Sequence, residues 1–403
     1  MIGLSRVIES LEPSQTLKAA ARARELSKQG RDVISFTVGE PDFDTPQHVK
    51  DAAVEALNIG FTKYCAVGGI DELKRSIADK MKRQTDLDIS DSELIVTNGG
   101  KHAIAAACAV LLNPGDEVVI PSPYWTSNPA MVQLAGGVPV YVDTDPENGY
   151  AMTGEQLLRA CSSKTKLIML NSPCNPTGGC YTRAQLEEIA TAFESLPNKS
   201  EIVIMSDEVY EYFTYDGFEH VTFLEAAPSL RENTLLINAF SKTYSMTGWR
   251  VGYACGPKEI IGAMTKHQGQ FCSNVCSIAQ YAAARAYNDH GDFPRTMLAE
   301  FTKRREIVCA AFAEIPGMSL EPKPLGAFYA FPDIRGLFGK SAKGCTVTCA
   351  NDFAEYLLDN FDVVVVQGEA FGTPNGFRLS FALDEKSLRK GLSRIAEAAH
   401  SLS

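Results

Sequence analysis

The chain has 403 residues, 45% of them apolar and 22% charged, a composition that supports a large core and about two to three domains. A net charge of −11 and a pI near 5.2, with no dense Lys/Arg run, exclude a nucleic-acid footprint but leave room for a local basic pocket. There is no signal-peptide apolar stretch and no apolar run of roughly 18 residues, and the eleven scattered cysteines read as reduced thiols, so the expected setting is cytoplasmic, without membrane or metal.

In chain order, residues 14–29 read as an amphipathic helix that stops at Gly30. "VISFTVGEPDFDTP" is a short strand with a turn-rich loop, "HVKDAAVEALNIG" a helix closed by Gly60, and "DELKRSIADKMKRQTDL" another helix. Strands and helices then alternate. "ELIVTNGG" leads into "KHAIAAACAVLL", and "EVVIPSP" into "SNPAMVQLAG" and then "VPVYVD". "KLIMLNSP" leads into "RAQLEEIATAFES". "EIVIMSDE", "TLLINAFSK", "RVGYACG" and a long helix from about 275 complete the series. Short continuous apolar strands between helices predict an α/β domain with a doubly wound sheet covered on both faces. Beyond about 295 the pattern becomes a long charged helix, then "GAFYAFPDI", "DVVVVQGEAFG", "GFRLSFAL" and a last helix, a smaller α/β domain.

In open α/β sheets, ligands bind beyond the carboxyl ends of the strands. Four chemical groups fall there. Gly99-Gly100 open a helix, which suits an anion. Asn175, Asp207 and Lys242 each stand just past a strand. Each has an ordinary alternative: Gly99-Gly100 could be a routine turn before a helix, Asn175 could sit in a plain turn, Asp207 could cap a helix and Lys242 could be a surface lysine; likewise, among other candidates in the sequence, Trp125 could be a core aromatic, Arg250 could make a structural ion pair and Arg378 could sit on an outer face. Their joint order points instead to pyridoxal phosphate chemistry, which needs a lysine, a carboxylate for the pyridinium nitrogen and a phosphate site.

"SPCNPTGG", "SDEVYEYF" and "FSKTYSMTGWRVGYACG" resemble the class I aminotransferases of fold type I, closest to the bacterial aspartate and aspartate/prephenate branch. The likeness runs from "GLSRVIESLEPSQTL" to "FRLSFAL". It implies Lys242 as the Schiff-base lysine, Asp207 on the pyridinium nitrogen, and Asn175 and Tyr210 on the cofactor's 3-oxygen. Trp125 would stack on the ring. Gly99, Gly100, Lys101, Ser241 and Arg250 would surround the phosphate, joined by Tyr64 of a neighbouring subunit in a homodimer with shared sites. Arg378 would grip the substrate α-carboxylate, Asn175 and Gly39 would touch substrate, and Lys101 and Thr16 would reach its distal carboxylate. The same resemblance implies a large domain over 47–294 and a small one from 1–46 with 295–403.

Three positions depart from the family pattern. Ala239 replaces a frequent Ser, Cys174 a frequent Asn or His, and Glu12 stands where a relative with prephenate activity has lysine. The expected activity is therefore ping-pong exchange between L-aspartate and 2-oxoglutarate, with prephenate used weakly. Alanine, aromatic, kynurenine or prephenate specificity, or a C–S lyase, are the alternatives within the fold.

Overall fold

The computed structural model describes residues 3–11, 13, 15–289 and 292–403, with only the backbone of Thr16, Leu17 and Asp289. Seven strands form the central sheet: β1 Leu94–Thr97, β2 Glu117–Ser122, β3 Val138–Asp143, β4 Thr165–Asn171, β5 Val203–Asp207, β6 Thr234–Ala239 and β7 Gly252–Cys255. Their order is β1-β7-β6-β5-β4-β2-β3. β6, β5, β4, β2 and β3 run parallel. Every residue of β5 and β6 is buried, as continuous apolar runs between helical layers require.

β7 is the exception, antiparallel to both β1 and β6. The reason lies in the link after β6. It carries only the one-turn helix Phe240–Thr243, not the longer crossover helix that usually returns a chain for a parallel strand. The helix read from about 275 is also shorter than expected. Ser277–Ala286 has ten residues, and the long helix is Asp292–Glu314. Between β7 and Ser277 lies a helix absent from the sequence reading, Lys258–Phe271; Gly262 and Gly269 inside it weaken the helical signal.

The C-terminal part has a three-stranded antiparallel sheet, with Phe377–Ser380 between Val366–Gln367 and Tyr329–Ala330. "DVVVVQGEAFG" divides at Val365. Val363–Val364 pairs in parallel with Ile34–Ser35, and Val366–Gln367 pairs with the Arg378 strand. Ser380 N donates to Phe36 O at 3.0 Å, so the N-terminal segment is stitched to this sheet. One apolar core unites Ile34 and Phe36 with Met297, Phe301, Phe353, Leu388 and Ile395, and Phe213 and Tyr215 reach into it. Among the described residues no helix is long and apolar enough to cross a membrane.

Candidate active site

The carboxyl ends of β1, β4, β5 and β6 open onto one cavity of about 360 Å³. After β1 the chain reaches Gly99, whose φ of +82° is a left-handed conformation suited to glycine. A Cβ there would lie 2.6 Å from an Arg250 guanidinium nitrogen, so only glycine lets that guanidinium lie on the backbone. Gly100 and Lys101 then begin the helix Gly100–Leu111. After β4, Asn171 braces two neighbours: its side-chain oxygen accepts from Asn175 N at 2.9 Å and its Nδ2 donates to Asp207 O at 3.0 Å.

Asp207 ends β5 and is buried. Among the described residues its carboxylate accepts only a long 3.4 Å bond from Val209 N, and no helix begins directly after it. The helix-cap alternative therefore has no helix to cap. Burial pushes this carboxyl up to about 7, with Glu208 adding to the rise and Val209 N and Lys242 opposing it. After β6, the Phe240–Thr243 turn presents Ser241 and Lys242. Lys242 Nζ donates to the Gly39 carbonyl at 2.5 Å. Burial lowers its ammonium to about 8; Arg378 and Arg250 push the same way, while Glu40 and Asp207 oppose.

Arg378 comes from the C-terminal sheet and is 2% exposed. Its terminal nitrogens donate to Asn175 Oδ1 at 3.0 Å and Thr37 O at 2.8 Å, while Nε is buried with no partner among the described residues. At the cavity rim, Arg250 donates to Thr247 O at 2.8 Å and Asn98 O at 3.2 Å, and Lys101 Nζ lies 5.0 Å from the Trp125 ring centre. Four cations and one buried carboxylate thus share a cavity in a chain of net charge −11.

The model of the family "Aminotransferase class I and II" matches residues 31–395. The chain belongs to this family. It is 46% identical to the aspartate/prephenate aminotransferase of Cereibacter sphaeroides, covering all of both chains. It is 44% identical to the aspartate aminotransferase of Bacillus subtilis, over 97% of this chain and 98% of that one. The structure of the aspartate aminotransferase from Rhizobium meliloti superposes with a TM-score of 0.96 at 39% identity, covering all of both chains. That of the Thermus thermophilus aspartate aminotransferase with maleate gives 0.90 at 39%, over 99% of this chain and 100% of that one.

The fold read from sequence, α/β with a mostly parallel doubly wound sheet, is the aminotransferase fold of these structures. Of the residues singled out in this aminotransferase, Gly39, Gly100, Lys101, Trp125, Asn175, Asp207, Tyr210, Ser241, Lys242, Arg250 and Arg378 all line the cavity. Gly99 lies behind Arg250. Tyr64 stands outside the cavity, 89% exposed. Thr16 is in the helix Gln15–Lys28 with its side chain undescribed, and Glu12 lies outside the described residues. The lining residues missed include Asn171 and Tyr329. Asn171 was within reach of the strand-end rule that selects Asn175. Tyr329 sits in the aromatic run "GAFYAF", which reads simply as core.

Proposed function

We propose that this aminotransferase exchanges an amino group between L-aspartate and 2-oxoglutarate, with pyridoxal 5′-phosphate as its cofactor. The observation that carries the reading is the unmatched positive charge of the cavity. Among the described residues none of Lys101, Lys242, Arg250 and Arg378 forms an ion pair; their partners are carbonyls, an amide oxygen and aromatic rings. A buried guanidinium with an orphan Nε is costly unless an anion completes it. A phosphate and the carboxylates of a dicarboxylic substrate supply that charge.

The residues present fit this cofactor. Lys242 Nζ would hold it covalently, and the poorly satisfied Asp207 carboxylate would accept a hydrogen bond from the pyridinium N–H and keep that nitrogen protonated. Asn175 and Tyr210 would face its 3-oxygen and Trp125 its ring. Gly99, Gly100, Ser241 and Arg250 would cradle the phosphate, with Ser241 supplying the hydroxyl that Ala239 lacks. When bound, the cofactor supplies an electron sink for Cα–H cleavage.

The chain's own residues do the rest. Arg378 binds the α-carboxylate and fixes the Cα–H bond toward Lys242. Lys242, displaced by the substrate amine, is the base that takes the Cα proton. Its low pKa keeps a share of it neutral at neutral pH. Lys101 would face the distal carboxylate; the Thermus relative was solved with the dicarboxylate maleate. We further propose a cytoplasmic homodimer in which Tyr64 serves the partner's phosphate site, with 47–294 as large domain and 1–46 plus 295–403 as small domain.

Steady-state kcat/KM for aspartate, alanine, phenylalanine and prephenate tests the reading. Aspartate is expected to lead and prephenate to be weak, because position 12 is Glu where a relative with prephenate activity has lysine. Lys101→Ser is expected to lose about 1.5–3 kcal/mol for aspartate, the value of a hydrogen bond to a charged group, and little for alanine. Equal losses would remove Lys101 from substrate recognition.

A further inference from the structure

Tyr329 enters the cavity from the C-terminal sheet, on the strand beside the one that carries Arg378; Tyr329 itself pairs with Ser380. It is 1% exposed. Three contacts hold it. Its hydroxyl oxygen lies 2.9 Å from that of Tyr210. Its ring faces the Arg378 guanidinium, whose carbon is 4.6 Å from the ring centre. Its hydroxyl also fills the space beside Gly39, where a Cβ would come within 2.9 Å of it.

Each phenol carries one proton, and the hydrogen bond between them can run either way. Among the described residues, the Tyr210 oxygen is the only hydrogen-bond partner of the Tyr329 hydroxyl. If Tyr210 donated, the Tyr329 proton would be buried without an acceptor among the described residues, and the Tyr210 proton would be spent on Tyr329. The opposite direction gives the Tyr329 proton its acceptor and frees the Tyr210 proton for the cofactor's 3-oxygen of the reading above.

We infer that Tyr329 is a positioning residue that donates its phenolic proton to Tyr210, so that the Tyr210 proton points into the cavity, while its ring supports the Arg378 guanidinium. This rests on the reading above, in which Tyr210 faces the cofactor's 3-oxygen and Arg378 the α-carboxylate. A phenol that accepts a hydrogen bond is itself a better donor, so the pair strengthens the contact made by Tyr210. The bond also joins the end of β5 to the sheet that carries Arg378, linking the cofactor side of the cavity to its substrate side. The charged groups that bear on the pair are Asp207 and Arg378, and burial pushes both phenols up.

Tyr329→Phe keeps the ring and removes the proton. The readout is the pH midpoint of the visible band of the protein loaded with pyridoxal phosphate, followed beside steady-state kinetics. A weaker Tyr210 donor stabilises an anionic 3-oxygen less, so the midpoint is expected to rise by roughly half a unit or more. In a Tyr210→Phe background the same change is expected to add no further shift. KM for aspartate is expected to stay near wild type in Tyr329→Phe and kcat to fall several-fold, whereas Tyr329→Leu, which removes the ring beneath Arg378, is expected to raise KM for every amino donor. An unmoved midpoint, or an equal shift in the Tyr210→Phe background, would overturn the inference alone. A wild-type protein that takes up no pyridoxal phosphate would overturn the functional reading and this inference with it.

Discussion

Lys242 and Asp207 show how a buried site sets the charge of single residues. Both are perturbed chiefly by burial, the lysine downward to about 8 and the carboxyl upward to about 7. For the lysine the consequence is catalytic. Lys242→Ala is expected to abolish transamination while the protein remains folded, since Nζ meets only the Gly39 carbonyl; more than a trace of wild-type turnover would contradict its role. For the carboxyl the consequence is a pH-dependent stability. The folded-state pKa stands above the ordinary 3.8, so the folded protein holds the proton more tightly. Its stabilising contribution is complete below about pH 4 and is lost as pH rises through about 7. Asp207→Asn does not titrate. Without cofactor, the variant is therefore expected to gain in melting temperature over wild type between pH 5 and pH 8. A difference independent of pH would contradict a buried, unpaired Asp207.

Among the elements, the "SPCNPTGG" loop does more than carry Asn175. Gly178 O accepts from Leu325 N at 2.9 Å and Gly326 N at 2.8 Å, clasping the segment that leads to Tyr329. Gly178 has φ +69°, and a Cβ there would meet Pro324 Cβ at 2.4 Å and Gly326 O at 2.8 Å. Backbone strain and the clash act together in Gly178→Ala, which is expected to cost about 2–4 kcal/mol in a denaturant titration. A loss under about 0.5 kcal/mol, the range of an ordinary surface change, would show that the clasp yields easily. At this scale the sequence is legible where a polar residue interrupts an apolar strand at its end, as at Asn175, Asp207 and Lys242. It is illegible where apolar runs carry no direction or partner. "RVGYACG" reads as a strand, but nothing in it says antiparallel. "DVVVVQGEAFG" does not disclose that its halves pair with different strands. Tyr329 is hidden for the same reason, since an aromatic in a buried run looks like core until its hydroxyl is placed beside that of Tyr210.

For the molecule as a whole, the chain presents Tyr64 at 89% and Phe271 at 74% exposure, large aromatic surfaces for a single subunit. In the proposed homodimer Tyr64 completes the partner's phosphate site. Sedimentation is expected to give a dimer, and Tyr64→Phe to weaken cofactor binding by about 1.5–3 kcal/mol, the value of a hydrogen bond to a charged group. A fully active monomer would contradict shared sites. The N-terminal segment also matters at this scale. Thr37 O accepts from Arg378, and Gly39 O accepts from Lys242, so residues from the start of the chain close over groups near its middle and end. Such long-range closure is not written in any local pattern.

The central claim, an aspartate aminotransferase that works through Lys242, is tested most directly by its first half-reaction. Protein loaded with pyridoxal phosphate is mixed with L-aspartate and no 2-oxo acid, and released oxaloacetate is counted. A ping-pong enzyme is predicted to release about one oxaloacetate per subunit and then stop until 2-oxoglutarate is added, and Lys242→Ala to release none. Continued release without an acceptor, or no release from aspartate where another amino acid does react, would contradict it.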